Sequence, residues 1–561
     1  MEVRTAWVKP PSLSGGLDHI GIQQLPIRIF STLLPGITVV TDRVANYSFY
    51  PWVSWVHHEE GEALGLDFIH FLRRAECLNT LIAERHTQVT GDDERLHSRG
   101  LVGRNSLTRL VQSDELRPID FAALAELRDD NPDSYFKNRF GGLGQYYLGP
   151  LRDLGVLQRI GDRVEVSEDV GLPLARAFDE RVDRGAFLEV LSRGTASEAD
   201  LDALAAFCPC HLAGNETERE LLLDLLLARQ GEAAEGDVLR RETLLLLLDL
   251  AQQRPEATLI ALDEAFKAAS LTGATDAGEP WTVPEAQQPV VNAWAAYERN
   301  DLLSIGALGV FWVALHLLEE RDGAAAHSGE VGAWVTELAQ ETLGDLGSLP
   351  LEEAVRKTAE ELPPLRDWLD ASHEFQVAGT IREAARRSGD EPEACLRASA
   401  TVLLALAARH GSSHPYVEAR IPGDYLRDYP LNLNSFFASL DTHWAGLTVA
   451  EWLGELAATW GIEAHLRVAL RKLHHESKDT FLVRMTDDGL RMPLDKTPPL
   501  PSFTASRLNR AVQFAVDLGL ASWEVAHDDA DAQEGEDEDG DGPLRARISE
   551  FGSQVLGALR G

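Results

Sequence analysis

Phe207-Cys208-Pro209-Cys210-His211 puts two thiols and an imidazole side by side, the donor types that zinc prefers. A closed zinc site needs four donors in paired spacing, and no second Cys/His pair follows at that spacing, so the segment reads as a buried turn at a helix end. His57-His58-Glu59-Glu60 is also rich in donors, but neighbouring side chains on any regular element point in different directions and no third donor is evident. Asp537, Asp539, Asp541 and Gly542 copy the first half of a calcium loop, in which alternate carboxylates ring the ion and glycine makes the bend. Pro543 then follows the glycine and Ile548 stands where the bidentate glutamate belongs, so a disordered acidic loop is the expectation.

His474-His475-Glu476-Ser477-Lys478-Asp479 gathers an acid, a base and a cation at a helix end, without the His-x-Lys spacing of phospholipase D-type nucleases. No Gly-Lys dipeptide occurs, which excludes the usual phosphate-cradling loop, and neither a Gly-x-Ser-x-Gly elbow nor a His-Glu-x-x-His pair is present. The expectation is therefore a protein with no catalytic residues, no metal and no cofactor.

A formal net charge of -38 argues against a protein that coats nucleic acid along its whole surface, because phosphate binding needs a local excess of Lys and Arg. Any DNA contact must come from a confined basic patch. Cys77, Cys208, Cys210 and Cys395 are too scattered for a disulfide framework, and the start of the chain lacks a signal-peptide apolar core, so a cytoplasmic location is expected. The uncharged run Leu302–Leu318 is short for a membrane span and carries Ser304, two glycines and His316, which favours a buried helix.

The elements that must position any site begin with the aromatic-rich stretch Leu17–His58. Its first part has the spacing of a short helix ended by Pro35-Gly36. Ile37, Val39 and Val40 then read as extended, and Asn46–Trp55 packs its aromatics into the core. Base stacking, with Arg28 and Arg43 on phosphates, is the lesser reading. A helical stripe follows from Glu62 to about Glu84.

Between residues 106 and 190 lies the clearest motif-sized unit. Helical patterns at Ser106–Val111 and Pro118–Arg128 lead through Asn131-Pro132 and Gly141-Gly142-Leu143-Gly144 to a third helix near Gln145–Leu154. Val156–Ile160, the turn Gly161-Asp162 and Arg163–Val166 then have hairpin chemistry. Helices followed by such a hairpin resemble a winged helix, whose third helix enters a major groove while the wing touches backbone. Lys137, Arg139, Arg152, Arg159 and Arg163 would gather there as the candidate DNA contact.

Residues 191–410 are Ala/Leu-rich and helical without a fixed repeat, with Asn300-Asp301 expected to cap or kink a helix, and residues 411–561 alternate helix and hairpin. Leu520–Val525 and Leu544–Ile548, separated by the acidic insert 527–542, form a second wing-like pair suited to protein docking. The expected fold is mainly α: a multi-domain helical scaffold with two winged-helix-like units and small β-hairpins, its domains at 1–105, 106–190, 191–410 and 411–561.

Leu34-Pro35-Gly36-Ile37-Thr38-Val39-Val40-Thr41-Asp42-Arg43, with Tyr47-Ser48-Phe49-Tyr50-Pro51-Trp52, resembles a segment of large uncharacterised prokaryotic proteins, some encoded near antiviral-defence genes. The resemblance spans about forty residues and carries no catalytic motif, so it implies only a defence or DNA-transaction setting. Together these readings lead to a non-enzymatic, DNA-associated adaptor that joins protein partners of a larger complex to double-stranded DNA, with no membrane involved. The alternatives are a metal-dependent nuclease with dispersed ligands and a site-specific transcriptional regulator.

Overall fold

The computed structural model describes residues 12–13, 18–112, 118–127, 134–160, 163–229, 233–254, 260–321, 325–386, 391–410, 416–476, 478–523 and 546–560. Its architecture is mainly α, with only small two-stranded sheets among the described residues. The chain gathers into two discontinuous units, Met1–Phe30 with Lys267–Ala505 and Ser31–Phe266 with Ser506–Gly561, the last segment packing on the helix Glu235–Gln253 of the second unit.

The first unit is built on the helix Gln288–Glu320, which is uncharged from Leu302 to Leu318 and buried along nearly its whole length. It packs against Glu374–Arg386, Pro392–His410 and Ser328–Leu343. Small residues let these neighbours approach: a Cβ on Gly309 would lie 2.1 Å from Ser399 Oγ. The same logic operates where Ser328–Leu343 crosses Val449–Glu455, since a Cβ on Gly454 would meet Thr336 Oγ1 at 2.1 Å and the Gly332 carbonyl at 2.5 Å. Length and composition alone would let the helix cross a membrane, but it is buried inside this unit.

Asn300 and Asp301 do not cap that helix; they lie within it. Asp301 accepts hydrogen bonds from the Thr504 amide and hydroxyl, both at 2.9 Å, and from the Tyr297 hydroxyl at 3.0 Å. Asn300 accepts from Tyr416 at 2.5 Å and donates to the Ala296 carbonyl. Buried polar groups inside a helix persist only when satisfied in this way. Trp294 and Tyr297 do share a face, their rings in edge contact at 5.4 Å.

In the second unit the aromatic run forms the helix Asn46–Leu64. The expected extended segment at Ile37–Val40 is replaced by turns. Tyr47, Phe49, Tyr50 and Trp52 are all buried and meet Tyr147, Phe178, Phe187, Phe207 and Phe514 at ring separations of 5.0–6.1 Å. These offset and edge-on contacts anchor the unit. The stripe expected from Glu62 to Glu84 is interrupted: the first helix stops at Leu64, Gly65 takes a left-handed turn, and Asp67 caps the next helix, Phe68–Thr90. Arg43, expected on a phosphate if bases stacked here, is buried against Asp517 at 3.1 Å and also donates to the carbonyls of Arg95, Leu96 and His97.

Candidate metal centre and basic surfaces of the second unit

Two charged residues on one face of Phe68–Thr90 position the motif-sized region. Arg73, buried, donates to the carbonyls of Ala125, Phe136 and Asn138 and stacks on the Tyr135 ring at 4.8 Å. Three residues on, buried Glu76 accepts from Tyr135 Oη at 2.5 Å and from the amides of Gly142 and Leu143 at 3.0 and 2.9 Å. Burial raises the Glu76 carboxyl, against the pull of these donors. The amides it takes are the otherwise unpartnered donors at the start of the next helix. Gly141 is required at this junction: its φ is +54° and a Cβ would lie 2.1 Å from Glu76 Oε2.

From that anchor the chain winds through a π-helical turn, Leu143–Tyr147, into the helix Leu148–Asp153 and then the antiparallel hairpin Leu157–Ile160 with Arg163–Val166. Leu157 and Val164 point into the core, and Ser54 Oγ donates to the Val164 carbonyl at 2.6 Å. The helix expected at Pro118–Arg128 is shorter, Phe121–Ala125, because Ile119-Asp120 pairs instead with Thr195-Ala196. Asn131-Pro132 and Gly161-Asp162 lie outside the described residues.

Of the five candidate DNA contacts, Arg139 and Arg159 are brought together: their guanidinium carbons lie 5.9 and 5.3 Å from the Phe140 ring centre. Lys137 is exposed two residues from Arg139. Arg152 is exposed on Leu148–Asp153, 3.7 Å from Asp153. Arg163 lies opposite Ile160 in the hairpin register, and its side chain falls outside the described residues.

Sequence reasoning missed a second basic surface. A cleft of about 710 Å³ is lined by Arg43, Arg95, Arg99, Arg104 and Arg510, with Tyr135, Phe136 and Tyr146 on its wall and only Asp42 and Glu94 as lining carboxylates. Arg104 pairs with Glu84 at 2.7 Å and with Glu94, and Arg510 with Asp42 at 2.7 Å. The legible signal was three arginines, at 95, 99 and 104, around Gly100 and Gly103. Arg510 joins them from the helix Leu508–Asp517, whereas Arg507 is turned back onto Leu34 and Ser31. The paired strands Ala521–Trp523 and Ala546–Ile548 form as expected; the acidic insert, including Asp537, Asp539 and Asp541, lies outside the described residues.

Beside the cleft, the structure supplies the donors that Cys208 and Cys210 lacked in sequence. His86 sits in the last turn of Phe68–Thr90, which Gly91 ends in a left-handed conformation. A short turn, Glu94–Leu96, then delivers His97. Arg181 holds the carbonyls of Ala206 and Cys208, and Pro209 starts the turn that carries Cys210. His97 Nδ1 lies 3.3 Å from Cys208 Sγ, and His86 Nδ1 lies 3.5 Å from Cys210 Sγ. Cys208 and His97 are buried, His86 and Cys210 half-buried, and the exposed His211 stacks on His86 at 5.2 Å. The Cys208 thiol and then the His97 imidazole hold Cys210 well below the usual thiol range, while burial pushes Cys208 up. His57, by contrast, packs on Phe68 and Phe71, and Glu59 and Glu60 face Arg184, so that cluster is structural.

No family model, characterised protein or solved structure matches the chain.

Proposed function

We propose that the protein is a non-enzymatic, DNA-associated adaptor of the cytoplasm, in which the helix-and-hairpin region acts as a winged helix. The observation that carries this reading is the convergence of Arg139 and Arg159 on Phe140, with Arg159 one pair from the turn end of the hairpin, a positive point on a chain of net charge -38. The cleft adds Arg95, Arg99, Arg104 and Arg510, ion-paired with Asp93, Glu94, Glu84 and Asp42, with aromatic rings beside them that could stack bases. The N-terminal resemblance supports a prokaryotic antiviral-defence setting, with a separately encoded nuclease, helicase or methyltransferase as the partner to be held on DNA.

Fluorescence anisotropy with a labelled duplex, titrated at several NaCl concentrations, tests it. Binding that weakens steeply with salt and is reduced in Arg139→Ala/Arg159→Ala supports the adaptor reading. No binding at low salt ends it. Incubation of the same duplex with Mg²⁺ or Mn²⁺ separates the enzyme alternative: cleavage abolished by changing one carboxylate replaces the adaptor with a nuclease. A footprint confined to one sequence would favour the regulator instead.

A further inference from the structure

We propose that His86, His97, Cys208 and Cys210 hold one zinc ion as a closed structural centre. All four donor atoms lie within 4.8 Å of one another. With Zn–S near ~2.3 Å and Zn–N near ~2.0 Å, a tetrahedron has sulfur-to-nitrogen edges of about 3.5 Å. Two edges of the cluster, 3.3 Å for Cys208 to His97 and 3.5 Å for Cys210 to His86, match that geometry. Two separate thiol–imidazole hydrogen bonds would explain these edges singly. They would not require both pairs to close on one point, as they do with the His86 and His97 rings perpendicular at 4.9 Å.

The surroundings have the form of a metal centre's outer shell. His97 turns Nδ1 toward Cys208 and Nε2 toward Asp92 Oδ2 at 3.5 Å, the carboxylate–histidine arrangement that fixes a metal-bound imidazole. Two sulfur and two nitrogen donors select zinc over the oxygen-seeking Mg²⁺ and Ca²⁺. Four protein donors leave no open coordination position, so the ion is a staple. It ties a helix end and the loop after it to a turn 111 residues beyond His97, with Leu101 and Ala83 packed on the buried Cys208.

Elemental analysis of the full-length, tag-free chain, purified without chelator, is expected to find one zinc per chain. Loading the chelator-stripped protein with Co²⁺ should give the visible bands of tetrahedral cobalt with thiolate charge transfer, a readout that needs no variant. Cys210→Ser should weaken that spectrum and lower zinc content, while His211→Ala should leave both intact. Zinc should also shield Cys210 from a thiol reagent until a chelator is added. A chain that takes up no zinc on reconstitution, or gives only octahedral cobalt bands, overturns the proposal. So does full zinc retention in Cys208→Ser/Cys210→Ser. DNA binding can fail without affecting any of these measurements.

Discussion

Asp92 Oδ2 lies 3.5 Å from Nε2 of His97, on the side of the ring away from Cys208. Because Asp92 is exposed, removing its carboxylate leaves the core intact. Asp92→Asn is therefore expected to lower zinc affinity about 10- to 100-fold, the usual effect of losing such a partner. Competition against a chromophoric chelator measures it; unchanged affinity would show that Asp92 does not orient the imidazole.

The basic pair around Phe140 predicts a specific change in salt dependence. Each phosphate contact contributes about 0.9 to the slope of log affinity against log salt, so Arg139→Ala/Arg159→Ala should make that slope shallower by about 2. Arg152→Ala, changing an exposed residue beside Asp153, should shift it less. Equal effects from all three would mean a diffuse attraction with no site.

A pH response is built into the first unit. His465 Nδ1 faces the His19 carbonyl at 3.1 Å, and its Nε2 accepts the Leu482 amide at 2.9 Å, so the folded unit requires the neutral ring. Burial lowers both His19 and His465 to about 4. With folded values below the unfolded value of 6.5, protons bind preferentially to the unfolded chain. The stabilisation is complete above that value and is lost as pH falls toward about 4. Each histidine accounts for at most about 3 kcal/mol. Urea midpoints for the first unit should therefore fall between pH 7 and 4.5, and His465→Gln should flatten the fall.

Gly454 tests the close helix crossing in that same unit. A methyl group there would press on Thr336 Oγ1 and the Gly332 carbonyl, one a side chain that can rotate and the other backbone that cannot. Gly454→Ala should cost about 1–3 kcal/mol, read as a lowered thermal midpoint. Gly423→Ala, where a Cβ meets nothing within 4 Å, is the control.

Local pattern carried much of the fold. The hairpin at residues 157–166 was legible because alternating apolar residues flank Gly161-Asp162, and the burial of Leu302–Leu318 followed from an uncharged run too short and too interrupted by Ser304 and His316 for a membrane span. The aromatic run was correctly assigned to the core, yet its helical form was not, since Tyr, Phe, Trp and Val favour strands in isolation and only packing around Tyr147 and Phe178 decides otherwise. The Cys/His cluster was half visible. Its cysteines stand out as a pair, whereas His86 and His97 lie more than a hundred residues earlier and meet them only in space. The cleft was hidden for the same reason: Arg510 reaches it from the far end of the chain.

The ion pair between Arg43 and Asp517 spans 474 residues. At ribosomal speeds of about 5–20 residues per second, the guanidinium emerges roughly 25–95 seconds before its carboxylate. Throughout that interval the guanidinium has the carbonyls of Arg95, Leu96 and His97 as partners but not its carboxylate. The contact that completes this part of the interior can therefore form only once the helix carrying Asp517 has been translated.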